Sequence, residues 1–99
     1  MAAQTQMEME QTAYDDYKQA DTELNKIYKQ VVKKLNEKEQ QLLIIAQKDW
    51  IKFRDSQCKF EVEQYNGGSI QPFMYFTCLK VQTNNRIMGL KAILEDEER

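Results

Sequence analysis

The amino-acid sequence predicts an all-α fold, a three-helix antiparallel up-down-up bundle with a disulfide joining helices 2 and 3. Three observations predict it. Apolar residues recur at steps of three and four along most of the chain, which is the period of an amphipathic helix. Three Gly and one Pro among 99 residues are too few for a many-turned β fold. Asn36 and the run Asn66-Gly67-Gly68-Ser69 divide the chain into three helical lengths.

Helix 1 runs from about Tyr14 to Leu35 on the stripe Tyr17, Ala20, Leu24, Ile27, Val31 and Leu35. Its acids come first and its lysines last, the order the helix dipole favours. Asn36 with Glu39 three residues on has the pattern of a capping box, so a tight break there opens helix 2. One bent helix through Asn36 is the alternative. Helix 2 reaches about Tyr65 on the stripe Leu43, Ala46, Trp50, Phe53, Gln57 and Phe60. Gly67 can take the left-handed conformation that ends a helix, Ser69 can cap the next, and Pro72 is acceptable in a first turn. Helix 3 carries Ile70, Phe73, Met74, Thr77, Val81, Met88 and Leu94. The expected organisation is one domain over residues 1–99, with 1–8 flexible. Residues 95–99 should fray, because acids are unfavourable at a helix C-terminus.

A net charge of −2 gives no reason to expect nucleic acid as a partner. The longest apolar run, Leu42 to Ala46, is far too short to span a bilayer. With no histidine, the commonest general base and transition-metal ligand is missing. No Gly-rich phosphate loop, G-x-S-x-G element or metal cluster is present, so the expectation is a non-enzyme without cofactor or metal. Thioether copper binding by Met7 and Met9 is the weaker alternative to a polar, unliganded start.

Cys58 and Cys78 are equidistant from residue 68, the middle of the second turn. In an antiparallel hairpin such residues lie level, within reach of the roughly 7 Å Cα limit for a disulfide. There is no C-x-x-C motif, and a zinc site would need further ligands that His or a third Cys would supply. The bonded pair is the favoured reading, and two buried free thiols stay open beside it. A bridge implies an oxidising compartment. The opening MAAQTQ has neither a basic nor an apolar signal region, so the chain is read as a mature periplasmic or secreted protein with its signal removed. A cytosolic chain is the alternative.

Three blocks, QADTELNKIYKQVVKKL, AQKDWIKFRDSQCKFE and GGSIQPFMYFTCLKVQTNNR, together resemble the LprI-type family. This is the lysozyme-inhibitor LprI N-terminal domain family of small secreted or periplasmic bacterial proteins. The resemblance covers about residues 9–94. It rests on Ala20-Asp21, Leu24-Asn25 and Tyr28; on Ala46-Gln47, Trp50, Arg54-Asp55 and Cys58; and on Gly67-Gly68-Ser69, Cys78-Leu79, Thr83 and Arg86. Thr12 stands where relatives often carry a further cysteine. The resemblance implies a helical secreted domain that binds protein, with lysozyme or another envelope protein as partner. The alternative is a structural or accessory envelope domain of unknown partner. Monomer or weak homo-oligomer is expected.

Counting outward from the first turn, Asp21 is level with Arg54, which makes them a candidate interior ion pair. Asp49 is level with Asn25 for a helix-to-helix hydrogen bond. Trp50 pairs in height with Arg86, for a cation–π contact or simple core packing. Tyr65, Phe73, Tyr75 and Phe76 cluster in sequence around the Gly-Gly turn and form the candidate partner-binding end, against ordinary packing.

Overall fold

The structure, a computed structural model, describes residues 4–96. Three helices fill it: α1 (Gln6–Lys34), α2 (Glu37–Glu61) and α3 (Gln71–Leu94). A short 3₁₀ turn, Val62–Tyr65, extends α2. No strand occurs among the described residues.

α1 starts earlier than its apolar stripe. The Thr5 hydroxyl accepts from the Glu8 backbone N–H at 3.1 Å and caps the helix at Gln6. Of the segment expected to be flexible, Gln6, Met7 and Glu8 are therefore helical, and residues 1–3 lie outside the described residues. The break after α1 has the expected chemistry. Asn36 Oδ1 accepts from Glu39 N at 2.8 Å, while Glu39 Oε1 accepts from Asn36 N at 3.1 Å. At the second turn Gly67 has φ +80°, the left-handed region. Ser69 does not cap α3, which corrects the expected role. Ile70 is the N-cap and makes no side-chain cap bond, while Ser69 Oγ donates to Gln6 Oε1 at 3.1 Å. Of the end expected to fray, Lys34 Nζ donates to the Asp96 carbonyl at 2.8 Å, and residues 97–99 lie outside the described residues.

The Gln6–Ser69 contact joins the starts of α1 and α3, and Lys34 joins the end of α1 to the end of α3. The two helices are therefore parallel, with α2 antiparallel between them in chain order. α1 and α3 pack closely along their length, while α2 lies against α3 and stands farther from α1. Small residues on α1, Ala13 and Ala20, permit close approach. The inward residues of α2 include Trp50 and Arg54, which hold α1 at a distance. The main core joins Leu24, Ile27, Val31 and Leu35 of the first helical length to Leu43, Ile87 and Leu90.

Two stripes face differently from expectation. On α2 the buried positions are Leu43, Arg54 and Cys58, whereas Ala46, Phe53 and Phe60 are exposed. The two faces lie about a quarter-turn apart at 3.6 residues per turn. The exposed face is the more apolar, because the inward one carries an arginine. On α3 the buried positions are Leu79, Thr83, Ile87 and Leu90, and Val81 and Met88 face out. α3 contacts both other helices, so its apolar residues are spread around it and periodicity alone selects no face.

The Cys58–Cys78 disulfide joins α2 to α3, with Cα atoms 5.6 Å apart. It sets the end of the α2–α3 hairpin just above the Gly67 turn.

Candidate functional site

About two and a half turns of α2 carry Trp50, Arg54 and Cys58, which project to the interior at steps of four. Arg54 is only 8% exposed. Its Nε donates to Asp55 Oδ1 at 3.0 Å, while Nη1 stands 4.0 Å from Asp21 Oδ1. Asp21 and Arg54 are thus brought together, but the nearer carboxylate is the sequence neighbour Asp55. The guanidinium carbon also lies over two rings, 5.2 Å from the Trp50 centroid and 5.5 Å from that of Tyr17. Arg86 stands over the same Trp50 at 5.9 Å, and its Nε donates to Gln47 Oε1 at 2.9 Å. Trp50 therefore both packs against the core and meets two arginines. Asp49 and Asn25, the other level pair, are both exposed and do not bond to each other.

Burial raises the pKa of Tyr17, opposed by Arg54 and aided by Asp21, Asp55 and Tyr75. Burial likewise raises Tyr75, with Asp55 adding to the effect and Arg54 opposing it. Arg86 is lowered by burial. An arginine does not act as an ordinary base, and both phenols move away from ionising near neutral pH. What this arrangement can do chemically is hold three helices in one register.

The four aromatic residues near the second turn do not all share one surface, and only Tyr75 and Phe76 line the same recess. Tyr65 lines a cavity of about 230 Å³ with Glu61, Met74 and Val81. Phe73 lines one of about 300 Å³ with Met9, Thr12 and Lys80. Tyr75 and Phe76 line an open recess of about 590 Å³ with Lys59 and Pro72. Phe76 meets Tyr14 edge-on at 5.2 Å and Tyr75 at 5.9 Å, so these three rings form a chain across α1 and α3. Met7, 81% exposed, with Glu10 and Gln11, extends the surface beside Tyr14 and Phe76. Sequence reasoning missed Tyr14 and Met7 as members of this surface. The signal is the parallel register of α1 and α3, which offsets facing residues by about 60 positions (Lys34 with Leu94, Tyr14 with Phe76).

A separate apolar strip, Leu42, Phe53 and Phe60, lies on the solvent face of α2.

The family model described as "Lysozyme inhibitor LprI" matches residues 1–90. An uncharacterized protein of Rhizobium meliloti (strain 1021) is 34% identical over 109 aligned positions, which take in 97% of this chain and 78% of that protein. No solved structure matches the chain.

Proposed function

This chain belongs to the lysozyme inhibitor LprI family, and from that premise we propose that it is a non-enzymatic binding protein of the bacterial periplasm or exterior that inhibits lysozyme by protein–protein contact. The family match is the observation that carries the reading. The Cys58–Cys78 bond supports the compartment, since structural disulfides persist where thiols are oxidised. No helix among the described residues is long and apolar enough to cross a membrane.

The binding surface in this proposal is the chain of Tyr14, Phe76 and Tyr75. Aromatic rings give large contact area at low entropic cost, and Glu10 beside Tyr14 offers a basic partner a carboxylate. Lysozymes of the common type are basic, and this chain carries −2. Tyr65 and Phe73 open onto other surfaces and fall outside the proposed contact.

The test is a lysis assay in which the protein is titrated against several lysozymes, with binding measured at low and physiological salt. The expected result is saturable inhibition that Tyr14→Ser weakens and Phe60→Ser leaves unchanged. Binding that disappears at physiological salt without inhibition would be charge attraction alone. Absence of binding would favour the second reading, a structural or accessory envelope domain. The exposed Leu42, Phe53 and Phe60 strip favours that reading, because it gives a lateral contact surface away from the aromatic chain.

A further inference from the structure

Cys58 and Glu61 stand three residues apart on the last turn of α2, and Cys78 faces them from α3. Both sulfurs and a Glu61 carboxylate oxygen lie within 4.8 Å of one another. Cys78 Sγ is 3.4 Å from Glu61 Oε2. A disulfide sulfur carries no proton to donate, so the carboxylate gains no hydrogen bond from this contact in the bonded form. Gln57 Nε2 donates to the same Oε2 at 3.3 Å and orients the carboxylate from behind. Cys58 is fully buried, but Cys78 and Glu61 both line the cavity of about 230 Å³.

From this geometry we infer that Cys58, Cys78 and Glu61 form a thiol-gated zinc site, closed by the disulfide and opened by its reduction. Two thiolates and a carboxylate are a zinc donor set, and three protein ligands leave a fourth position for water. Tetrahedral zinc with bonds of about 2.3 Å to sulfur and 2.0 Å to oxygen places those two ligand atoms roughly 3.5 Å apart. The Cys78–Glu61 contact already has that spacing. The sulfurs need only separate to roughly 3.8 Å, which breaking their bond allows. The cavity supplies both the entry path and the room for the water. Gln57 is the outer partner that fixes the carboxylate, as metal-ligating carboxylates require.

The chemistry balances with a dithiol as reductant. The dithiol gives two electrons and two protons to the disulfide and becomes its own cyclic disulfide. Two protein thiols result, and zinc displaces both protons as it binds the two thiolates.

The experiment uses the whole chain, reduced and freed of reductant under anaerobic conditions. It is titrated with Zn²⁺ against a chromogenic chelator, and with Co²⁺ as a spectroscopic probe. One equivalent should bind, with the thiolate charge-transfer and tetrahedral cobalt bands, and the oxidised protein should bind neither ion. Glu61→Gln should weaken zinc binding by about tenfold or more. Equal affinity in Glu61→Gln would overturn the site, as would absence of uptake by the reduced wild type. Circular dichroism reads the same question if reduction loosens the helices. Zinc should then restore helicity in the wild type and not in the Cys58→Ser, Cys78→Ser double variant, and equal behaviour of the two would also overturn the inference.

Discussion

Lys34 Nζ stands 2.7 Å from the carbonyl oxygen of Leu94, the last residue of α3. The same ammonium donates to the carbonyls of Ile93 at 3.1 Å and Asp96 at 2.8 Å. One cation from α1 thus donates to three carbonyls at and just beyond the C-terminus of α3, at the negative end of that helix. Lys34→Met keeps the aliphatic stem and removes the three bonds. It should lower stability by about 1.5 kcal/mol, seen as a lower urea midpoint at unchanged slope. A midpoint equal to wild type would mean water replaces the lysine at no loss.

Arg54→Ala should cost about 3 kcal/mol, because it leaves partly buried carboxylates without their cation and empties the space beside Trp50 and Tyr17. Asp55→Asn should cost more than Asp21→Asn, since the first contact is 3.0 Å and the second 4.0 Å. The Arg54→Ala, Asp55→Ala double variant should lose clearly less than the sum of its singles. Chemical denaturation of this set decides it, and strict additivity would show that the two side chains do not interact.

Alkaline pH should destabilise the fold. Burial raises the pKa of Tyr17 and Tyr75 above the ordinary value of 10.0. The unfolded chain then releases those protons first. The stability linked to these phenols is whole below about pH 10 and is lost as pH rises through their higher folded values. Thermal melts across that range should show a steeper fall for wild type than for Tyr17→Phe. Parallel curves would remove Tyr17 as a cause.

Thr83 is fully buried, and its hydroxyl oxygen has no hydrogen-bond partner. Thr83→Val replaces an unsatisfied polar group by a methyl of similar shape. The variant should be as stable as wild type or more so, by up to about 1 kcal/mol. A clear loss of stability would reveal a partner for the hydroxyl, such as an ordered water.

Gly67 and Gly89 make a paired test of backbone conformation. A Cβ at either position meets nothing within 4 Å, so neither substitution clashes. Gly67 has φ +80°, and Gly67→Ala should cost about 1 kcal/mol. Gly89 lies inside α3, and Gly89→Ala should add about 0.5–1 kcal/mol through helix propensity. Thermal midpoints moving in the same direction would contradict this account.

The local signals were strong enough to be read directly from the residues. The Asn36–Glu39 capping box, the left-handed Gly67 and the stripe from Ala20 to Leu35 each depend on neighbours a few positions away, so the sequence determined three helices, both breaks and the buried face of α1. The level placement of Cys58 and Cys78 about residue 68 likewise follows from chain symmetry around one turn. Tertiary structure decided which faces of α2 and α3 turn inward. Leu42, Phe53 and Phe60 make a more apolar stripe than Trp50, Arg54 and Cys58, yet the second set is inside. The disulfide fixes the rotation of α2, and Asp55, Tyr17 and Trp50 give Arg54 the partners that make its burial tolerable. The neighbourhood of Tyr14 and Phe76 was hidden for a related reason. Those residues are 62 positions apart, and only the parallel packing of two helices that are not consecutive brings their rings into contact. Periodicity gives each helix a set of possible faces, and the choice among them is an energy of contact between helices, which no single helix contains.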